Sequence, residues 1–208
     1  MRKPLKISLA IVSLILASTS CAVKKERNTY VDFPKFSYEA HRGGRGLYPE
    51  NSIGGMKMSI DFPIVTTLEM DSTNITKDKK VVVYHDDFLN PKFVTYSDGS
   101  ELKGKDNKGL IYNYTYEQLQ QFDLGLKGNV DFPQQRKIST KIALLSDLID
   151  EAEKYAASKG KKMFYNIETK SNEKKDNVAH PEPKEFSDLI LKIILDKGNR
   201  QENSYTVF

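Results

Sequence analysis

The stretch Ile64-Val65-Thr66-Thr67-Leu68-Glu69-Met70-Asp71 decides the fold. Its β-branched opening predicts a strand over 64–70. Strand side chains alternate between faces, so Thr67, Glu69 and Asp71 share one face and Leu68 and Met70 the other. The apolar face suits a covering helix. The other face carries carboxylates to the end of the strand. Upstream, Phe36 to Ala40 reads as a strand that stops at His41-Arg42, where Gly43, Gly44 and Gly46 break it. Pro49-Glu50-Asn51-Ser52 then starts a helix, with Ser52 or Asn51 as its cap and Ile53, Met56 and Ile60 on one side. Downstream, Val81 to Tyr84 is a third strand ending at His85-Asp86. Residues 87–114 are polar with no helical period, and Thr115 and Gln118 form a capping box. Leu144, Leu145, Leu148, Ile149, Ala152, Tyr155 and Ala156 recur at helical spacing up to Gly160. Met163 to Ile167 is a fourth strand. Phe186, Leu189, Ile190, Ile193 and Ile194 mark a helix closed by Gly198, and Tyr205 to Phe208 begins a fifth strand.

Strands alternating with helices imply parallel pairing and an α/β fold. An eight-stranded β/α barrel takes about 250 residues, and this chain has 208, including a leader. The choice is between a smaller open sheet and an incomplete barrel of about five strands. The end at Tyr-Thr-Val-Phe, inside a strand pattern, points to a truncated chain, because a buried terminal strand leaves ladder groups unpaired. Such an open sheet is expected to expose long edges and a large apolar face, and to be poorly stable.

Residues 1–20 form the leader. Arg2, Lys3 and Lys6 precede an apolar run from Ile7 to Ala17, too short to span a membrane, and small residues follow. The one cysteine, Cys21, comes directly after them, the arrangement of a bacterial lipoprotein signal in which that Cys is lipidated, although Ser18 stands where Leu is usual. Residues 21–35 read as a tether, leaving 36–208 as the folded domain. The expected location is the bacterial cell envelope, on a lipid anchor. The net charge of +4 falls to 29 cations against 28 acids without the leader, so nucleic acid is not an expected partner. A single Cys excludes an intramolecular disulfide and a CxxC zinc site. Oligomeric state is not readable.

The ionisable residues collect at strand ends. Glu69 and Asp71 share a face, as do Asn166, Glu168 and Lys170. His41-Arg42 and His85-Asp86 end two more strands at what reads as the same level. Inward carboxylates about 4 Å apart repel by roughly 4 kcal/mol at an effective dielectric of 20. A hard divalent cation, Ca²⁺ or Mg²⁺, resolves that repulsion with oxygen ligands Glu69, Asp71 and Glu168. Arg42 and Lys170 beside it point to an anionic substrate, phosphate first. His41 and His85 supply an acid and a base near neutral pH, without a sign of which is which. His180, in a polar loop, reads as structural.

In order, His-Arg-Gly-Gly (41–44), Pro-Glu-Asn-Ser (49–52), Glu-Met-Asp (69–71), His-Asp-Asp (85–87) and Asn-Ile-Glu-Thr-Lys (166–170) resemble the glycerophosphodiester phosphodiesterases. The segment 114–125 resembles that family too. The resemblance implies a (β/α)8 TIM-type barrel with a small subdomain inserted after strand three, here about 87–140. It implies hydrolysis of glycerophosphodiesters, such as deacylated phospholipids, to an alcohol and glycerol 3-phosphate with Ca²⁺ or Mg²⁺. Carried over, His41, His85 and Arg42 are catalytic, Arg42 and Lys170 hold phosphate, and Glu69, Asp71 and Glu168 hold the metal. Glu50 and Asn51 support the rim. Ser52 replaces the commoner Thr. Two alternatives stay open: a phospholipase D-like phosphotransferase on the same site, and a non-catalytic binding lipoprotein or inactive fragment.

Overall fold

The computed structural model describes residues 34–72, 74–198 and 205–207. Residues 1–20, Cys21 and the tether up to residue 33 lie outside these, and so do the expectations placed on them. The strands are β1 (Glu39–Ala40), β2 (Thr67–Asp71), β3 (Asn74–Ile75), β4 (Val81–Val83), β5 (Thr95–Tyr96), β6 (Phe122–Asp123), β7 (Ala143–Leu144), β8 (Phe164–Glu168) and β9 (Tyr205–Val207). The helices are α1 (Ile53–Ile60), α2 (Tyr116–Leu119), α3 (Leu145–Ser158) and α4 (Pro183–Gly198).

The central sheet is parallel throughout, in the order β1-β2-β8-β9. On one of its faces Leu68, Met70, Tyr165 and Ile167 pack with Met56 and Ile60 of α1, Leu148, Ile149 and Ala152 of α3, and Phe186 and Ile190 of α4. That cluster is buried, and it is the principal apolar reward of folding. The other face carries Phe164 among polar side chains. Ser37 Oγ and Thr67 Oγ1 are 2.6 Å apart, and Asn166 Nδ2 donates to Glu39 Oε2 at 2.8 Å. The expected large apolar face is therefore absent among the described residues. Helices cover the apolar side, and the uncovered side carries Glu39, Asn166 and Glu168.

The third strand departs from expectation. Val81–Val83 does not join the parallel sheet. It lies antiparallel between β3 and β7 in a separate sheet, and touches the end of β2 through one parallel bridge, Ser72 to Tyr84. The reason lies in chain length. Only residues 76–80 separate β3 from β4, and a parallel crossover needs a dozen or more. A tight turn forms instead, with Lys79 at φ 60° and its N–H on Thr76 O. The polar stretch after residue 87 holds the small antiparallel β5–β6 pair and a second apolar cluster, in which Leu89, Val94, Ile111, Leu119 and Phe122 join Tyr84.

The local signals before the two N-terminal helices hold. Ser52 caps α1, accepting the Gly55 N–H at 3.0 Å and donating to Pro49 O at 2.6 Å. Thr115 and Gln118 form the full capping box on α2, although that helix is one turn and Phe122 already belongs to β6. Leu144 precedes α3 as its cap and sits in β7.

Candidate active site

Parallel register builds the site. Thr67, Glu69 and Asp71 pair with Phe164, Asn166 and Glu168 in turn, so two carboxylates of β2 and one of β8 emerge on one face near the strand ends. Oxygens of Glu69, Asp71 and Glu168 lie within 4.8 Å of one another. Glu69 and Asp71 are buried and Glu168 is partly open. Burial pushes Glu69 up to about 7. The Arg42 N–H bond pulls the other way, and the neighbouring carboxylates of Asp71 and Glu168 add to the rise. Burial alone would raise Asp71 as well. The Asn51 hydrogen bond and the Arg42 charge outweigh it and hold Asp71 below the usual carboxylate range.

The turn after β1 delivers His41 and Arg42. Arg42 is buried, in the left-handed region at φ 50°, ψ 37°, a conformation that costs a non-glycine residue energy and clusters at functional sites. What holds it is a closed network. Its backbone N–H donates to Glu69 Oε2 at 2.5 Å, and its carbonyl accepts from Asn51 N–H at 2.9 Å. Its Nη1 bonds Glu50 Oε1 at 3.0 Å, and its Nε lies 3.1 Å from Asp71 Oδ2. Asn51, also left-handed at φ 54°, donates to Asp71 Oδ2 at 2.8 Å and accepts the Asp71 N–H at 3.1 Å. Glu50 is shared with Arg45, 3.1 Å away, whose guanidinium rests over Phe132. Glu50 and Asn51 thus touch Arg42 and Asp71 directly.

Gly43 and Gly55 let this turn sit on the start of α1. A Cβ on Gly43, at φ +67°, would stand 2.9 Å from Met56 Sδ, and one on Gly55 would stand 2.7 Å from Gly43 O. Gly43→Ala is expected to destabilise the protein by about 1–3 kcal/mol, through overpacking and the positive φ together. Urea denaturation measures it, and a change under 0.5 kcal/mol, about the noise of a surface substitution, would contradict the packing argument.

His85 arrives from outside the parallel sheet. Tyr84 N–H donates to Asp71 O at 2.9 Å, and Asn74 Nδ2 reaches both Tyr84 O and Asp86 O, at 2.7 and 2.9 Å. These bonds fasten the end of the antiparallel strand to the end of β2. His85 Nδ1 is 2.7 Å from Asp86 Oδ1, and Asp86 Oδ2 accepts from Asn90 Nδ2 at 2.7 Å. Burial works to raise Asp86, but the bonds from His85 and Asn90 outweigh it and keep the carboxyl low. Both His41 and His85 lie close enough to Asp71 to interact with it electrostatically. Lys170 Nζ stands 3.4 Å from Asp71 Oδ1 and 3.4 Å from Glu168 Oε1.

All seven residues read as chemical from sequence therefore meet at one end of the sheet. Reading missed two neighbours, Asp86 and Arg45. The adjacency of His85 and Asp86 was a usable sign for the first. Nothing local marks the second. His180 is a buried loop residue. Its Nε2 accepts the Asn172 N–H at 3.1 Å and its Nδ1 bonds Pro181 O at 2.8 Å.

A sequence model of the glycerophosphoryl diester phosphodiesterase family matches residues 41–208. The chain belongs to that family. Family membership implies a TIM-barrel-like α/β fold. The chain is similar over 84 residues, at 33% identity, to the glycerophosphodiester phosphodiesterase of Bacillus altitudinis, covering 40% of this chain and 29% of that one. It is 28% identical over 169 residues to the "Uncharacterized protein y4eD" of Sinorhizobium fredii (strain NBRC 101917 / NGR234), 81% of this chain and 41% of the relative. The crystal structure of the "Putative glycerophosphoryl diester phosphodiesterase from Silicibacter pomeroyi DSS-3" superposes with a TM-score of 0.67 at 24% identity, over 83% of this chain and 57% of that one. This likeness agrees in fold. The chain spans less than half the length of the curated relatives it matches. In this phosphodiesterase family member, the three carboxylates are a possible acidic metal site.

Proposed function

We propose that the protein hydrolyses glycerophosphodiesters to an alcohol and glycerol 3-phosphate, with a divalent cation and a histidine acid–base pair. One observation carries the reading: the convergence of Glu69, Asp71 and Glu168 beside Arg42, Lys170 and two histidines in a member of this family. The trio fits a hard cation. Its ligands are all oxygen, and Glu69, buried and beside the carboxylates of Asp71 and Glu168, resists ionising, which a bound cation would relieve. When bound, Ca²⁺ or Mg²⁺ supplies charge neutralisation at the phosphate oxygens. Arg42, clamped by Glu50 and Asp71, holds its guanidinium pre-set at the rim. Lys170, 41% exposed on a flexible stem, bridges Asp71 and Glu168 here and has the reach to turn to a phosphate oxygen.

Burial, with the Arg42 and Arg45 charges next, holds His41 below its ordinary 6.5. His41 is then neutral at pH 7, as a base must be. Protonation removes that base as pH falls through the lowered value, so at saturating cation, which would keep Glu69 ionised, kcat/KM is expected to hold from pH 8 to 6.5 and fall only below it. A pH–rate profile with its acid limb centred above 7 would reject this role.

The parallel strands read as part of a β/α barrel, with 87–140 as its insertion, and a lipid anchor on Cys21 would keep the enzyme at the bacterial envelope. Mass spectrometry for acyl chains on Cys21 checks the anchor. The activity is tested by incubating the protein with glycerophosphocholine and glycerophosphoglycerol, with Ca²⁺ or Mg²⁺, and measuring glycerol 3-phosphate. Product formation that chelator abolishes and cation restores is the expected result. No product from either substrate, or turnover indifferent to chelator, would overturn the reading.

A further inference from the structure

Beside His85 and Lys170 lies a cavity of about 320 Å³ whose lining does not include Glu69, Asp71 or Glu168, within the roughly 300–1,000 Å³ range of small-ligand sites. Residues 85–87 form one wall and the loop after β8 the other. That loop is a built wall. His180, its side chain 5% exposed, anchors it through Asn172 N–H and Pro181 O, packs edge-on against Phe186, and offers its own carbonyl to Asn177 N–H at 2.7 Å. Lys175 joins the walls, its Nζ 2.6 Å from Asp87 Oδ2.

The lining chemistry selects among alcohols. An alkyl-ammonium group is recognised by aromatic faces or by an unpaired carboxylate. Among the described residues, no Phe, Tyr or Trp lines this cavity. Its two carboxylates are already engaged, Asp86 by His85 and Asn90 and Asp87 by Lys175. What the walls offer is a close mixture of donors and acceptors: the Ser171 hydroxyl, the Asn172 amide nitrogen (its oxygen is taken by Lys174 N–H), and the Lys175–Asp87 pair. A hydroxyl group donates and accepts, so it can join each of these without breaking the pair. A trimethylammonium group can do neither, and it would strip water from polar groups without replacing it.

We infer that this cavity seats the head-group alcohol of the diester and favours uncharged polyols, of the glycerol or inositol kind, over choline. The inference rests on the phosphodiesterase reading above. It is tested by measuring kcat/KM of the intact protein, at saturating cation, on glycerophosphoglycerol, glycerophosphoinositol and glycerophosphocholine. The expected polyol-to-choline ratio is at least about tenfold. Lys175→Met frees the Asp87 carboxylate for a cation and should lower that ratio at least about fivefold, while Lys175→Arg retains it. A general disturbance of the loop would depress all three substrates together and leave the ratio alone. Equal or better turnover of glycerophosphocholine by the unaltered protein, or a ratio unmoved in Lys175→Met, overturns the head-group assignment and leaves the phosphodiesterase reading standing. Failure to turn over any of the three overturns that reading, and this inference with it.

Discussion

Replacing His85 by Ala is expected to lower kcat for glycerophosphodiester hydrolysis about 10²- to 10⁴-fold, the range for a lost general acid or base. The geometry argues for the full effect. Asp86 engages Nδ1 of the ring, and Asn90 in turn orients Asp86. A carboxylate behind an imidazole fixes its tautomer and steadies its charged form. The fold has little stake in the ring itself. Its side chain is 28% exposed, and the anchoring of the strand end belongs to the Tyr84 backbone and Asn74. A large loss of kcat with a melting temperature within a few degrees of the parent is therefore the result to look for. Steady-state kinetics at saturating cation, paired with thermal melts, decides it. Activity within threefold of the parent would remove His85 from the chemistry.

The parts of this site legible in sequence were those governed by strand alternation. Once 64–71 is a strand, Glu69 and Asp71 must share a face, and Asn166, Glu168 and Lys170 obey the same rule. Parallel pairing then sets Asp71 opposite Glu168. The Ser52 and Thr115 caps were equally local, because a cap needs only its own next three residues. His85 was placed for the wrong reason. Val81–Tyr84 was legible as a strand and the strand–helix order made it parallel, but its antiparallel partner at 74–75 is two residues long and left no sign in the sequence, and only residues 76–80 separate the two. The histidine still reaches the site, because the Tyr84 N–H bonds Asp71 O and the Asn74 side-chain amide bonds Tyr84 O, which bring the hairpin end there. Such contacts join segments distant in sequence and leave no periodic trace. Arg45 is the same case. Its partners Glu50 and Phe132 are set by how two loops meet. The polar stretch after residue 87 looked structureless because short strands and single helical turns are below the length at which a period can be counted.

Glu168→Gln is expected to weaken Ca²⁺ or Mg²⁺ binding at least about 100-fold, the upper end of what even an outer partner of a metal ligand contributes, while leaving the cation-free protein as stable as the parent or slightly more so. The two signs come from one cause. Glu168 stands opposite Asp71, close to Glu69, and is one of the charges that raise the Glu69 pKa. Without a cation these carboxylates repel, so neutralising one relieves the fold. With a cation the same charge is attraction, and its removal costs affinity. Glu168 is the member to change because its side chain is 44% exposed, and losing its ion pair with Lys170 leaves Lys170 still facing Asp71. Asp71→Asn would confuse the matter, since Asp71 is fully buried and holds Arg42 and Asn51 in place. Calorimetric titration with each cation gives the affinity, and urea denaturation in chelator gives the stability. A residue that merely braced the structure would show the reverse pattern, a loss of stability without cation and affinity within threefold of the parent. That result would detach the carboxylate cluster from metal binding.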